Sequence, residues 1–346
     1  MNPAIHRVAG EGDRPAGFLA SPFQIGGVAI PNRVVLAPMA GLTGSAYRRH
    51  LKVHGVGLVT TEMVSAYGLT YRNVRTGGYL DFADEERPIA VQLFGDEPGV
   101  MAHAAEIVLQ RDKVPDILDI NMGCPVRKVV KTGAGVALLG DPERAVAVAA
   151  AVVGVAAEAG VPVTVKIRGG LVPGDGLAVD LAPRLEQAGV LALGVHPRAA
   201  SEYYRGKADH SVTRAVVRAV GIPVVASGDV CDVEGAMEIM ATTGAAALMV
   251  ARGVVGEPWL VGGLLSGTCA ARPPLGEVVA DLRLLLARAT EEMGSQRSVR
   301  WIRKLLGPYL RPAGVAVSLL EGLRIIADVE ELDAALAALD PAYPPA

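Results

Sequence analysis

The stretch Asp119-Ile120-Asn121-Met122-Gly123-Cys124-Pro125 runs from an apolar segment, 117–120, into an Asn, a Gly, a Cys and a Pro. Gly and Pro end a strand sharply and permit an unusual backbone path, so the Cys124 thiol is presented on a loop at a strand end. A thiol so placed can act as an acid or a nucleophile. Taken alone it could equally be an inert, buried cysteine. Lys166 closes another apolar run. Its cation suits the pyrimidine edge of a flavin, where it would stabilise the reduced anionic ring; the alternative is an ion pair with Glu62 or Asp119. Gln92 can both donate to and accept from a flat heterocycle. The turns Ala226-Ser227-Gly228-Asp229 and Ala251-Arg252-Gly253 end two further apolar runs. Their glycines let backbone N–H groups approach a phosphate, and Arg252 adds charge. This layout fits a monophosphate such as FMN. No G-x-G-x-x-G follows a strand with an acidic residue some 20 positions on, so a Rossmann dinucleotide site is unsupported.

The elements that must carry these residues recur along the chain. Apolar, β-rich runs lie at 33–37, 57–61, 89–94, 116–121, 161–167, 190–195, 222–226 and 246–250, with helical composition between them. Strands apolar on both faces are parallel strands buried under helices. Eight β-then-α units predict an α/β protein built as a closed (β/α)8 TIM barrel, with a doubly wound open sheet as the alternative. Polar groups follow nearly every strand: Pro38-Met39, Glu62, Gln92, Asn121 and Cys124, Lys166 and Arg168, His196 and Arg198, Ser227-Gly228-Asp229, Arg252-Gly253. In a barrel these ends share one face, where active sites are built. After about residue 262 strand-like runs stop and 275–293, 298–306, 315–327 and 329–339 read as helices. The expected organisation is a flexible N-terminal extension, 1–21, a barrel over 22–262 and a small all-helical domain over 275–346.

Composition narrows the partners. Of 346 residues 51% are hydrophobic and the formal net charge is −3, so any nucleic-acid binding must come from a local patch. The helical region supplies one: Arg283, Arg288, Arg297, Arg300, Arg303, Lys304 and Arg311 outnumber the acids over 281–311, with Trp301 and Tyr309 among them. It reads as an RNA-backbone surface with stacking groups or as an ordinary solvated face. Three widely separated cysteines, Cys124, Cys231 and Cys269, form no metal spacing and read as free thiols of a reducing compartment. His50 and His54 stand at i, i+4 without an HExxH carboxylate, so no metal is expected. The longest apolar run, 145–157, falls short of a membrane span, and the expectation is a cytoplasmic protein without a membrane anchor.

Together these segments resemble the tRNA-dihydrouridine synthases, particularly the bacterial B-type branch, over about 23–259. The resemblance is carried by Val35-Leu-Ala-Pro-Met-Ala-Gly41, Thr61-Glu-Met63, Val91-Gln-Leu-Phe-Gly95, Asn121-Met-Gly-Cys-Pro125 with Gly133-Ala-Gly135, Val165-Lys-Ile-Arg168, Ser227-Gly-Asp229, and Arg252-Gly253 through Pro258-Trp259. It implies an FMN enzyme that reduces the C5=C6 bond of particular uridines in tRNA with NADPH, or NADH, as reductant; separately from the resemblance, a monomer is expected. By that likeness Pro38, Met39, Gln92, Lys166 and His196 line the flavin. Ser227, Gly228, Asp229, Ala251 and Arg252 hold its phosphate, largely through backbone amides. Asn121 and Arg168 orient a flipped uracil, Cys124 protonates C5, and Arg300, Arg303 and Lys304 contact tRNA. The chain departs from the family pattern at Pro197, Glu202, His210, Ser227 and Ala251, where Gly, Gln, Trp, Asn and Gly are usual. Two other readings compete: a flavin barrel acting on a free small molecule, as dihydroorotate dehydrogenases do, and a tRNA-binding protein without catalysis.

Overall fold

The computed structural model describes residues 17–71, 73, 77–269 and 271–339. The expected N-terminal extension lies mostly outside them. A hairpin, β1 (Phe23–Ile25) and β2 (Val28–Ile30), precedes the barrel. The strands of the barrel are β3 (Val34–Leu36), β4 (Val59–Thr60), β6 (Ile89–Phe94), β7 (Ile117–Met122), β8 (Val163–Gly170), β9 (Ala192–Ala199), β10 (Val224–Ser227) and β11 (Ala247–Val250), with β5 (Val64–Ser65) beside β6. Neighbours pair in parallel, and a bridge between Val35 and Leu58 joins β3 to the β4 side. The result is the expected (β/α)8 barrel rather than an open doubly wound sheet. Strands so short and so uniformly buried need no alternation of polarity, which is why the apolar runs marked them in the sequence.

The hairpin was not expected. Its Gly26-Gly27 turn and alternating Phe23, Ile25, Val28 and Ile30 drive it across the barrel's lower end. There Phe23, Ile25 and Ile30 join Val35, Leu58, Ala90, Ile117, Ala192, Val225 and Ala247 in one apolar cluster. The small alanines of that layer leave room for the plug. Helices cover the outside. Among them are α1 (Ser45–Val53), α2 (Ala66–Thr70), α3 (Pro98–Leu109), α4 (Arg127–Val130), α5 (Pro142–Glu158), α6 (Leu177–Gln187), α7 (His210–Ala219), α8 (Val233–Thr243) and α9 (Leu260–Ser266). The start of α5 shows why: Asp141 caps it by accepting from the Arg144 N–H at 3.2 Å, and Pro142 occupies the first turn.

From Leu275 onward the chain is helical: α10 (Leu275–Met293), α11 (Ser295–Leu310), α12 (Val317–Ile325) and α13 (Val329–Ala337). These helices share one apolar cluster with the barrel. Leu282, Leu286, Ile302 and Leu306 pack in the same core as Tyr47, Leu51, Val254 and Leu264. Polar clamps reinforce the joint. Glu292 of α10 accepts from the backbone N–H groups of Ser45 and Ala46, which open α1. Asp281 of α10 accepts from His50 Nε2 at 3.0 Å and His54 Nε2 at 2.8 Å. The i, i+4 histidines, which lack a carboxylate in their own segment, thus receive one from α10. Arg288 Nη1 donates to His50 Nδ1 at 3.3 Å, so Nε2 carries the His50 proton and faces the carboxylate. Burial works against ionised Asp281, yet the two imidazole hydrogen bonds hold it well below the usual carboxylate range. The group is a hydrogen-bonded clamp between barrel and helices. Among the described residues no helix is long and apolar enough to cross a membrane.

Candidate active site

A pocket of about 730 Å³ opens at the C-terminal ends of the strands. Into it the fold brings Pro38, Met39, Gln92, Asn121, Cys124, Lys166, Arg168, His196, Ser227, Gly228, Asp229, Ala251 and Arg252. Tyr204, Met63 and Met249 line it too, and sequence reasoning did not assign them a site role. Arg300, Arg303 and Lys304 are not among its lining residues.

Cys124 stands on the loop after β7. Its backbone N–H donates to Asn121 Oδ1 at 3.0 Å, as does that of Gly123 at 3.2 Å, so one side chain folds the loop into a tight turn. Val136 N–H holds the Cys124 carbonyl at 3.1 Å from the other side. Burial pushes the thiol above its ordinary range, more than Arg168 and Lys166 pull it down. At neutral pH it is therefore a protonated thiol, a donor rather than a nucleophile.

Lys166 is held deep in the barrel mouth. Burial, and then Arg168, lower its ammonium to about 8, against the opposing pull of Asp119. Asp119 in turn is raised to about 6 by burial. Glu62, the other acid considered for Lys166, instead accepts from the Gly41 N–H at 2.7 Å. Burial and then the cations Lys166, Arg168, Arg198 and Arg252 keep His196 far below its ordinary range, so its ring is neutral. The site therefore combines the cations Lys166 and Arg168 with a neutral imidazole and a neutral thiol.

At the opposite side, the turns after β10 and β11 form a cradle of backbone donors. Among the described residues, the N–H groups of Gly228, Asp229, Arg252 and Gly253 meet no acceptor. Gly228 (φ 114°) and Asp229 (φ 56°) both take the left-handed side of φ, the curvature of an anion-binding nest. Gly253 is required by close approach, since a Cβ there would lie 2.0 Å from the Val230 carbonyl oxygen. The Asp229 carboxylate does not face the nest. It pairs with Arg198 Nη2 at 2.7 Å and accepts from the Ala208 N–H at 2.6 Å, which pins the turn from outside. A nest of free donors beside Arg252, joined by a pocket to Gln92 and Lys166, fits a phosphorylated flat heterocycle.

The departures from the family pattern have structural work here. Pro197 sits where the β8–β9 register shifts between Arg168 and Gly170, so its missing N–H coincides with an irregular ladder. Glu202 accepts from the Ala199 N–H at 2.6 Å and closes the turn after β9. His210 Nε2 donates to the Gly228 carbonyl at 3.1 Å and supports the nest from below. Ser227 is buried at the end of β10, and Ala251 leads into the second turn.

Packing gives several of the expected site residues partners within the protein. Arg168, expected to orient a uracil, is only 2% exposed. It donates to the carbonyls of Gly123 at 3.0 Å, Ala199 at 3.2 Å and Tyr203 at 2.7 Å, so much of its fork holds loops together. Tyr204 covers it, with the guanidinium carbons of Arg168 and Arg252 lying 5.2 and 4.8 Å from its ring centre. Trp301 and Tyr309 are not free stacking groups. Tyr309 is fully buried, and Trp301 donates to the Gly41 carbonyl at 3.2 Å. Arg303 donates to the Ile326 carbonyl beyond α12 at 2.8 Å, and Lys304 to the Gly41 carbonyl at 2.9 Å. Arg297, Arg300, Lys304 and Arg311 remain exposed. Replacing Arg303 with Ala should therefore lower thermal stability, which a melting curve would register. Arg300→Ala, at an exposed position, should leave the melting temperature unchanged.

Comparisons with known proteins agree with this geometry. The family model described as dihydrouridine synthase matches residues 35–340. A probable tRNA-dihydrouridine synthase of Rhizobium leguminosarum bv. phaseoli is 37% identical over 312 residues, 89% of this chain and 95% of that protein. tRNA-dihydrouridine synthase B of Pseudomonas aeruginosa is 36% identical over 294 residues, covering 84% and 87%. Among solved structures, a 2-naphthoyl-CoA reductase complex superposes with a TM-score of 0.56 at 11% identity, over 72% of this chain and 52% of that one. The old yellow enzyme homologue of Zymomonas mobilis gives 0.51 at 14% identity, over 75% and 94%. At such identities the structural likenesses speak to the barrel alone. The sequence matches, spanning the barrel and the helices behind it, identify the chain as an enzyme that belongs to the dihydrouridine synthase family.

Proposed function

We propose that the protein reduces the C5=C6 bond of particular uridines in tRNA to 5,6-dihydrouridine, using FMN and, as reductant, NADPH. The observation that carries this is a protonated, half-buried Cys124 thiol in the same pocket as Lys166 and the backbone nest. Gly228, Asp229, Arg252 and Gly253 would hold the FMN phosphate through their N–H groups, and Gln92, Lys166, His196, Pro38 and Met39 would surround the ring. A reduced flavin held there would provide the hydride chemistry that C6 of the uracil requires. The residues of the chain do the rest. Cys124 Sγ holds the proton that C5 requires, and its raised range keeps that proton in place through neutral pH. Lys166 is a fixed cation near the negative charge that develops on the substrate. Asn121 Nδ2 donates to Gln92 Oε1 at 2.8 Å and, weakly, to Met63 Sδ at 3.9 Å, and a uracil carbonyl would take the place of that thioether. A base reaches this depth only by leaving its stack, which favours bends and loops of tRNA over rigid duplex.

On this reading the exposed arginines of α11, Arg300 above all, meet the tRNA backbone. The enzyme acts as a cytoplasmic monomer. Turnover should stay level through neutral pH and fall as pH rises past about 8, where Lys166 loses its proton ahead of the thiol, whose neutral form is the active one. A pH–rate profile on tRNA that instead rises as the pH passes above about 8 would contradict a thiol acid. The direct test is mass-spectrometric mapping of dihydrouridine in tRNA from cells lacking the protein and any other such synthase. Loss at defined positions, restored by the gene, supports the proposal. Unchanged dihydrouridine would turn the reading toward a flavin reductase of a free small molecule.

A further inference from the structure

Cys124 lies at one end of a continuous line of buried side-chain hydrogen bonds, and Asp119 lies at the other. The Asp119 carboxylate accepts from the Thr164 hydroxyl at 2.6 Å and from Gln92 Nε2 at 2.6 Å. Gln92 Oε1 accepts from Asn121 Nδ2 at 2.8 Å. Asn121 Oδ1 accepts from the N–H groups of Gly123 and Cys124. An ionised carboxylate only accepts, whereas each carboxamide has a donor end and an acceptor end of nearly equal shape. A carboxylate at position 119 therefore obliges Gln92 to turn Nε2 inward and Oε1 toward Asn121. That obliges Asn121 to spend its amide on Gln92 and its oxygen on the backbone of the loop. A reversal at either amide would set N–H against N–H beneath Cys124, in a place where an unmet donor is costly. Register supports the line: Gln92 stands opposite Asp119 on β6 and β7.

We propose that Asp119 is a positioning residue for Cys124, setting the direction of an Asp119–Gln92–Asn121 relay that shapes the catalytic loop. The catalytic meaning of the relay rests on Cys124 as proton donor, but the relay itself is read out by thiol reactivity, which does not depend on that role. The competing account is that Asp119 serves only as the counter-charge of Lys166, the charged group that faces it.

The test is a double-variant cycle in the FMN-bound protein carrying Cys231→Ser and Cys269→Ser, both surface thiols. The readout is the rate at which iodoacetamide alkylates Cys124 at fixed pH. Gln92→Glu places two carboxylates face to face and should change the rate by about tenfold or more. Asp119→Asn alone should stay within about threefold, because the Thr164 hydroxyl can turn from donor to acceptor and keep the direction. In the double variant the new amide at 119 donates to the new carboxylate at 92, which still accepts from Asn121. Its rate should return to within about threefold of the parent. A double variant that behaves like Gln92→Glu, or a Gln92→Glu rate that does not move, overturns the relay. Asp119→Asn as damaging as Gln92→Glu assigns Asp119 to Lys166 and overturns it too. Should Gln92→Glu fail to fold, recovery of a cooperative thermal transition by adding Asp119→Asn is the expected result, and continued failure refutes the proposal.

Discussion

Replacing Cys124 with alanine should lower turnover on tRNA by about 10²–10⁴-fold, the usual contribution of a positioned general acid. FMN content, oxidation of NADPH and tRNA affinity should be nearly unchanged. The reason is the geometry of the loop. The Cys124 backbone N–H and carbonyl carry the turn, through Asn121 and Val136, while the side chain has a single weak partner in the Val126 N–H. Alanine removes the proton and leaves the fold. Single-turnover kinetics separate the two steps: reduction by NADPH should proceed at the parent rate, and reoxidation by tRNA should be slow. Reoxidation by tRNA at the parent rate would remove Cys124 from the chemistry. Serine at the same position is a sharper probe, because a hydroxyl is a far weaker acid than a thiol and should recover little.

Replacing Glu86 with alanine should cost about 3–5 kcal/mol of stability, the range for breaking a buried ion pair by removing one partner. Arg48 and Glu86 are 2% and 0% exposed, with Arg48 Nε and Glu86 Oε2 2.5 Å apart. Glu86 also accepts from the Ser45 hydroxyl and from the Ala83 N–H at 2.8 Å, and Arg48 donates to the carbonyls of Thr43 at 2.7 Å and Asp81 at 3.1 Å. The pair thus ties the start of α1 to the segment just after Pro38 and Met39, on the rim of the pocket. Loss of Glu86 leaves a guanidinium buried without its counter-charge. Denaturant unfolding measures the cost, and FMN affinity should fall with it as the rim loosens. The double change Arg48→Met with Glu86→Leu should lose much less, since it removes the charge along with its partner. A single Glu86→Ala variant within about 1 kcal/mol of the parent would show that water relieves Arg48.

The chain by itself determined the barrel and most of the residues that line the pocket. Buried parallel strands are apolar throughout, so each announced itself by composition, and the barrel collects their C-terminal ends on one face whatever the loops do. That is why residues as far apart in the sequence as Met39 and Arg252 could be assigned to one pocket. The hairpin 23–30 was legible too, in an alternating run broken by Gly26-Gly27, though the signal is short. Asp119 had a weaker sign, a lone acid inside an apolar strand; its meaning depends on which amides face it. Other features had no local sign. The carboxylate of His50 and His54 comes from Asp281, and the cap of α1 comes from Glu292, each more than 200 residues away. Charge counting grouped Arg300, Arg303 and Lys304 together, but packing separates them. Arg300 and Lys304 stay exposed, Lys304 spending one of its three N–H donors on the Gly41 carbonyl, whereas half-buried Arg303 is turned to the Ile326 carbonyl. Periodicity reports which side of an element is buried; which long side chain meets which distant backbone is decided by packing, and there only the tertiary structure speaks.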